Sequence, residues 1–322
     1  MFGYLRFFLA LLVLLSHVGV RVWGLNPGVF AVVIFYILAG YVTTYLFYEV
    51  MPKKNRIVNF YIDRAIRIFP LYLIVLSITL LFILVTNYGE PHFNLFNTLS
   101  NLTIIPLNYY MYFDVNILTD PKWPLIPPAW SLGTELQAYL LMPLLLLYRK
   151  LFIVSFITTF TIYTLANFTL LHPDHFGYRL IFGVLFFFLI GVLLRKRVYK
   201  ILIVLYLLIF FEAFLLFVTD SISQYSYSKE TLLGLLLGMP LIGLFSQQRD
   251  RILNKILGRA SYALFLIHFL FIWLFNYLGL FSKGGKSYIL SVVIASVIAS
   301  LYLIKIEKMV IERLRILFKA ES

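Results

Sequence analysis

The sequence predicts an all-α integral membrane protein of about ten transmembrane helices, with both termini on the cytoplasmic side. Three observations carry that expectation. Of 322 residues, 62% are hydrophobic and 13% charged, a balance that the surface of an aqueous globular domain does not accommodate. Mean hydropathy is +0.93, and mostly apolar stretches of about 20 residues, the length that crosses a bilayer, recur between short charged or Pro/Gly-bearing breaks. The third observation is the distribution of positive charge along those breaks.

In chain order the spans fall near 5–24, 28–48, 67–87, 129–148, 151–171, 177–194, 201–218, 231–246, 260–280 and 287–304. The first stretch is retained as a span rather than a signal peptide because no small-residue cleavage site follows it. With the first residues inside, 21 of the 27 Lys and Arg fall on the cytoplasmic side, leaving Arg21, Lys122, Arg179, Lys229, Lys283 and Lys286 outside. Positive-inside bias therefore accounts for the net charge of +13, and no nucleic-acid partner is needed to explain it. The absence of cysteine excludes disulfides, thiolate metal sites and a thiol nucleophile.

The chain reads as one membrane domain over 1–322, without an internal repeat, a low-complexity tract or an appended soluble domain. Its one long break, 88–128, is assigned to the outside and is crowded with Phe93, Phe96, Tyr109, Tyr110, Tyr112, Phe113 and Trp123, with six prolines among them. Aromatic side chains favour the headgroup level. Two readings stand side by side: a loop that dips into the outer interface as the lip of a cavity, or a belt that only anchors the outer face.

Polar residues inside spans are costly and are functional candidates by default. His17 lies eleven residues after Arg6, which returns it to nearly the same helical face about 16 Å further along the axis; the plainer reading is a snorkelling arginine and a core histidine. Arg64 and Arg67, at i and i+3 ahead of Pro70, share a face at the expected cytoplasmic start of the third span. Their planar forks suit phosphate, and ordinary positive-inside anchoring is the alternative. Pro128-Ala-Trp130-Ser131-Leu132-Gly133-Thr134-Glu135, with Tyr139 and Pro143, opens the fourth span. There a carboxylate can orient a histidine, take a proton or bind a sugar hydroxyl, while the plainer reading makes Ser131 an N-cap with acid in the first turn. Ser261, Tyr262 and His268 follow Gly258-Arg259 in the ninth span, and His268 either lines the same cavity or is a core histidine bonded to a neighbour.

These four clusters, in this order, resemble the membrane-bound acyltransferase-3 family, which O-acylates carbohydrates and other acceptors. The residues that carry the resemblance are Arg6 and His17, the run Phe35-Tyr36-Ile37-Leu38-Ala39-Gly40-Tyr41, the Arg64-x-x-Arg67 pair before Pro70, Trp130-Ser131-Leu132-x-x-Glu135 with Tyr139 and Pro143, and Ser261-Tyr262 ahead of Leu266-x-His268. Two positions depart from the family pattern: Ala39 stands where Ser is frequent, and Arg313 follows Glu312 where Pro is frequent. The resemblance implies an O-acyltransferase, most simply an O-acetyltransferase, in the inner (cytoplasmic) membrane of a bacterial cell. It would move an acyl group from cytoplasmic acetyl-coenzyme A, or another acyl-coenzyme A, to a hydroxyl of an extracytoplasmic carbohydrate such as a surface polysaccharide or lipid-linked glycan. It also implies catalytic roles for His17 and Glu135, donor recognition by Arg6, Arg64 and Arg67, and acceptor contacts from Trp130, Ser131, Tyr139 and His268, with no metal. Its surroundings are then the lipid bilayer and other envelope polysaccharide biosynthesis proteins. Larger relatives append an extracytoplasmic hydrolase-like domain; a chain stopping at Ser322 is expected to complete the transfer itself or hand the group to a separate protein. The rival class is a transporter or flippase for a sugar-linked lipid, which predicts repeated halves with broken helices; no such symmetry is visible.

Smaller patterns read as structure. Gly284-Gly285-Lys286-Ser287 lacks the earlier glycine of a phosphate-binding loop, which is Leu280 here, and reads as a turn. His172-Pro-Asp174-His175 is a loop to which no metal is assigned. Gly234 and Gly238 allow close approach of another helix, and Asn101-Leu-Thr103 fits a glycosylation sequon.

Overall fold

A computed structural model describes residues 2–219, 227–247, 251–280 and 282–320, with side chains through residue 310. Arg249 and the side chains of Glu312, Arg313, Arg315 and Lys319, which enter the charge distribution and the family comparison above, lie outside the described residues. The protein is helical: α1 Gly3–His17, α2 Pro27–Tyr45, α3 Arg56–Thr86, α4 Leu95–Thr103, α5 Ala129–Leu147, α6 Arg149–Asn167, α7 Ile181–Arg195, α8 Tyr199–Val218, α9 Ser228–Phe245, α10 Ile252–Leu278 and α11 Lys286–Ala320, with a two-residue hairpin of β1 Leu118–Thr119 and β2 Lys122–Trp123.

Among the described residues, eight helices are long and apolar enough to cross a membrane, against ten expected spans. Two expected spans account for the difference. The first ends at His17 rather than near residue 24, because Gly19 takes φ +90° and the chain turns through a short bridge between Val22 and Leu25; α1 is therefore only 15 residues long. The fourth is α5, whose Glu135, Gln137 and Pro143 dilute its apolar character. The third and ninth spans begin earlier than expected, at Arg56 and Ile252, so Arg64, Arg67, Ser261 and Tyr262 lie inside helices and not at their starts. Outward surfaces are those of a lipid-solvated protein: α8 exposes Ile203, Leu207, Phe210, Phe214 and Phe217, side chains that water would penalise and hydrocarbon does not.

The helices gather into two compact units assembled from interleaved segments. The first contains 1–19, 62–130 and 250–322. In it α1 packs on α10 and α10 on α11. Glycine permits the α1–α10 crossing: a Cβ on Gly3 would stand 1.6 Å from the backbone oxygen of Asn254, and one on Gly258 would stand 3.2 Å from Gly3 Cα. The Asn254 side chain also accepts from Tyr4 N at 2.9 Å, satisfying one of the donors a helix start leaves open. Tyr262 OH donates to Ile68 O at 3.0 Å, and the Phe82 and Tyr277 rings meet edge to face at 6.1 Å, so α3 and α10 run in the same direction and in fixed register.

The aromatic break is built onto this unit. Asn94 and Asn97 cap the start of α4 reciprocally, a capping box that satisfies two backbone donors. Asn101 is 1% exposed, donates to Asn97 O and Val115 O and accepts from Leu125 N. The sequon match thus falls on a buried amide that bonds the backbone. Phe93, Phe96, Tyr112, Phe113 and Trp123 are exposed.

The second unit contains 20–61 and 131–249. Asn26 caps α2 by accepting from Gly28 N at 3.0 Å, with Pro27 at the first helical position. α2 then packs against α7 and α9. A Cβ on Gly40 would stand 1.8 Å from Phe188 O, and one on Gly191 2.0 Å from Ile37 O, so this crossing brings backbone against backbone. Gly234 and Gly238 meet Val33 and Ile37 of α2; the small-residue pair serves packing inside the unit, as small-xxx-small faces do.

Candidate active site

In the first unit two parallel helices bring two imidazoles together. From Gly3 to His17 and from Asn254 to His268 are both 14 residues, about 21 Å of helix each. Because the helices are pinned where Gly3 meets Asn254, His17 and His268 arrive at the same level. His17 Nδ1 lies 2.9 Å from His268 Nε2, with the rings stacked at 12°. His268 is fully buried, whereas His17 is exposed.

The bonding pattern decides the tautomers. Leu264 O can only accept, so His268 Nδ1, 3.0 Å away, carries a proton and donates it. Neutral His268 then offers its Nε2 lone pair to His17 Nδ1–H, and the lone pair of His17 sits on Nε2. An imidazole held in one tautomer by a second group is the arrangement that orients a general base. The Phe269 ring lies 4.8 Å from that of His17, and Trp123 of the hairpin lies 5.9 Å from Phe269, so aromatic faces flank the imidazole. Sequence reading named both histidines but not their pairing; the equal 14-residue offsets were the available signal.

The arginines occupy the other end of this unit, Arg64 about 15 Å and Arg67 about 10 Å down α3 from the level of His268. Arg64 donates through Nε and Nη2 to Asp63 Oδ2. Arg67 Nη1 lies 3.3 Å from Glu307 Oε1 and its guanidinium 5.8 Å from the centroid of the Tyr262 ring. Glu307 is 2% exposed and also feels Arg259. Asp63 and Glu307 escaped sequence reading: Glu307 is 240 residues from its partner, and nothing local announces the pairing. Arg6, half-buried on α1, lies three residues along from Gly3 at the same end of that helix.

In the second unit Glu135 is half-buried on α5 and accepts a short hydrogen bond from Tyr139 OH one turn on. Ser131 is buried inside the first turns of α5, and its carbonyl accepts from Tyr36 OH at 3.3 Å. That corrects the capping reading, because α5 starts at Ala129. Thr134 Oγ1 donates to Arg179 O at 3.0 Å, while Asp174 is engaged by Arg179 at 2.8 Å, so the carboxylate of the His172–His175 turn serves an ion pair. Tyr41 accepts from Arg195, which also pairs with Glu49. Trp130 ends the middle segment of the first unit and is half-buried. One buried acid escaped sequence reading: Glu212 of α8, 5% exposed, accepts from Asn167 Nδ2 at 2.7 Å and Thr164 at 3.3 Å. A carboxylate inside an apolar helix was the signal that would have found it.

Comparison with known proteins identifies the family. The family described as "Acyltransferase domain", the acyltransferase-3 family, matches residues 2–305. A protein of Aquifex aeolicus (strain VF5), named only "Uncharacterized protein", is 40% identical over 207 residues, covering 61% of this chain and 92% of that one. No solved structure matches.

Proposed function

Because the chain belongs to the acyltransferase-3 family, we propose that this multi-pass membrane acyltransferase is an O-acyltransferase, most simply an O-acetyltransferase. It moves an acyl group from cytoplasmic acyl-coenzyme A to a hydroxyl of an extracytoplasmic carbohydrate at the inner membrane. The observation that carries the reading is the hydrogen-bonded histidine pair. His17 Nε2 accepts the proton of the acceptor hydroxyl as its oxygen attacks the thioester carbonyl. The new C–O ester bond forms, the C–S bond breaks, and His17 returns the proton to the departing sulfur, giving the ester and free coenzyme A. A base positioned in this way contributes about 100- to 10,000-fold.

His268 is reassigned from acceptor contact to positioning residue, since its two ring nitrogens are taken by Leu264 O and His17. Arg64 and Arg67, with Arg6, receive the donor's phosphates, the ligand class planar forks suit. Their pairing with Asp63 and Glu307 supports this by holding both guanidiniums in place before the donor arrives. Trp130, in the same unit as His17, contacts the acceptor; in the second unit Tyr139 fixes the Glu135 carboxylate.

The test uses purified protein in proteoliposomes with acetyl-coenzyme A and a saccharide acceptor, reading thiol release together with the mass of the saccharide. The intact protein yields both signals, and His17→Ala yields neither while keeping its elution profile. Full activity in that variant removes His17 from the reaction.

A further inference from the structure

We infer that the segment between α3 and α5 is re-entrant: α4 descends into the bilayer to the level of the histidine pair, with its apolar face against lipid acyl chains. This rests on the protein's multi-pass placement and not on the reaction proposed above.

The depth follows from contacts within the first unit. Ile68 of α3 is level with Tyr262 of α10, and the two helices keep that register up to Phe82 and Tyr277. Tyr72, four residues beyond Ile68, is therefore level with about residue 266, close to His268. Its hydroxyl donates to Asn101 O of α4 at 2.6 Å, and both residues are buried. Asn101 thus sits 14 residues below Thr86, the end of α3, or about 21 Å of helix. The hydrocarbon core is about 30 Å thick, so the foot of α4 is well inside it.

The faces of α4 are reversed relative to a helix in water. Its sequence, LFNTLSNLT, carries no charge. Leu95, Phe96, Leu99 and Leu102 are 77%, 49%, 48% and 41% exposed, while Asn97, Ser100 and Asn101 are at most 2% exposed. At 100° per residue the four apolar positions share one side and the three polar positions the other, and an apolar stripe should face a core in water. Here the polar stripe faces inward and works on the backbone. Asn97 Nδ2 donates to His92 O and Asn116 O, and Asn101 bonds Val115 O and Leu125 N. Irregular chain at membrane depth requires that its polar groups be satisfied from within the protein. The exposed face of neighbouring α3 is also apolar at Leu73, Leu81 and Leu84, which makes lipid the occupant of a continuous surface.

The protein contains no cysteine, so single nitroxide labels can be placed at Leu95→Cys, Leu99→Cys and Leu102→Cys, with Leu73→Cys and Leu84→Cys on α3 as depth references and Lys283→Cys as the aqueous reference. In liposomes, the ratio of oxygen to nickel-chelate accessibility is expected to rise from Leu95 to Leu102 and to reach the value at Leu73. Equal ratios at Leu95 and Leu102, matching Leu84, would mean a helix lying flat at the interface. Ratios like that of Lys283 would mean a loop in water, and dipolar broadening lost on dilution with unlabelled protein would mean a face covered by a second copy. Each of these three results overturns the inference. Because no arm depends on turnover, a failed transfer reaction leaves the depth measurement intact.

Discussion

The two ends of the first unit hold their functional candidates by opposite means. At one end the two α3 arginines each have a counter-charge: Arg64 has Asp63 and Arg67 has Glu307. At the other, His17 is bonded to His268, and His268 in turn to the Leu264 carbonyl. A polyanionic ligand can be met only by charge that is already held in place, since an unpaired guanidinium at membrane depth is costly. A proton acceptor needs the reverse, a fixed tautomer and a lone pair not already spent on an ion pair.

The contrast can be broken from either end. His17→Ala is expected to lower turnover by about 100- to 10,000-fold with little change in donor KM, read by thiol release. Replacing Arg64 and Arg67 together by Gln should act on the donor instead, raising its KM by about 100- to 10,000-fold, since charge-assisted hydrogen bonds contribute about 1.5–3 kcal/mol each; an unchanged KM would separate the arginines from the donor. His268→Leu is expected to lower kcat by about 10- to 100-fold at constant KM, the size of effect seen when an orienting partner is lost. His268→Gln, whose side-chain oxygen can still accept from His17 Nδ1, should recover part of that loss, and equal activity in the two variants would make His268 merely structural. Gly3→Val tests the pin that brings the imidazoles level. Its side chain meets the Asn254 backbone, and overpacking of this kind costs about 1–3 kcal/mol, visible as a lower Tm and as lost activity at the far end of α1.

Much of the architecture was legible in the chain. Hydropathy over some 20 residues reports the solvent directly, so the helical membrane class and most spans were readable. The misread boundaries share one cause: hydropathy marks where a helix meets lipid, not where its backbone hydrogen bonding stops. α3 and α10 continue past their apolar runs, and α1 ends at a glycine turn inside one. His17, Arg64, Arg67 and Glu135 stood out because polar groups in apolar runs are conspicuous.

Their partners were not legible. Nothing local marks Glu307 as the partner of Arg67, or Asn101 as a buried amide that bonds the backbone. By itself the sequence determined the solvent, the helices and which residues are too polar to be there by default, because those are local properties of composition and period. Only the tertiary structure decided that His268 fixes the tautomer of His17, that Glu307 holds Arg67 and that α4 turns its polar face inward. Each of those depends on how separate segments meet, the first two on the register between helices more than 200 residues apart, set by close approaches such as Gly3 on Asn254, and register leaves no trace in local hydropathy.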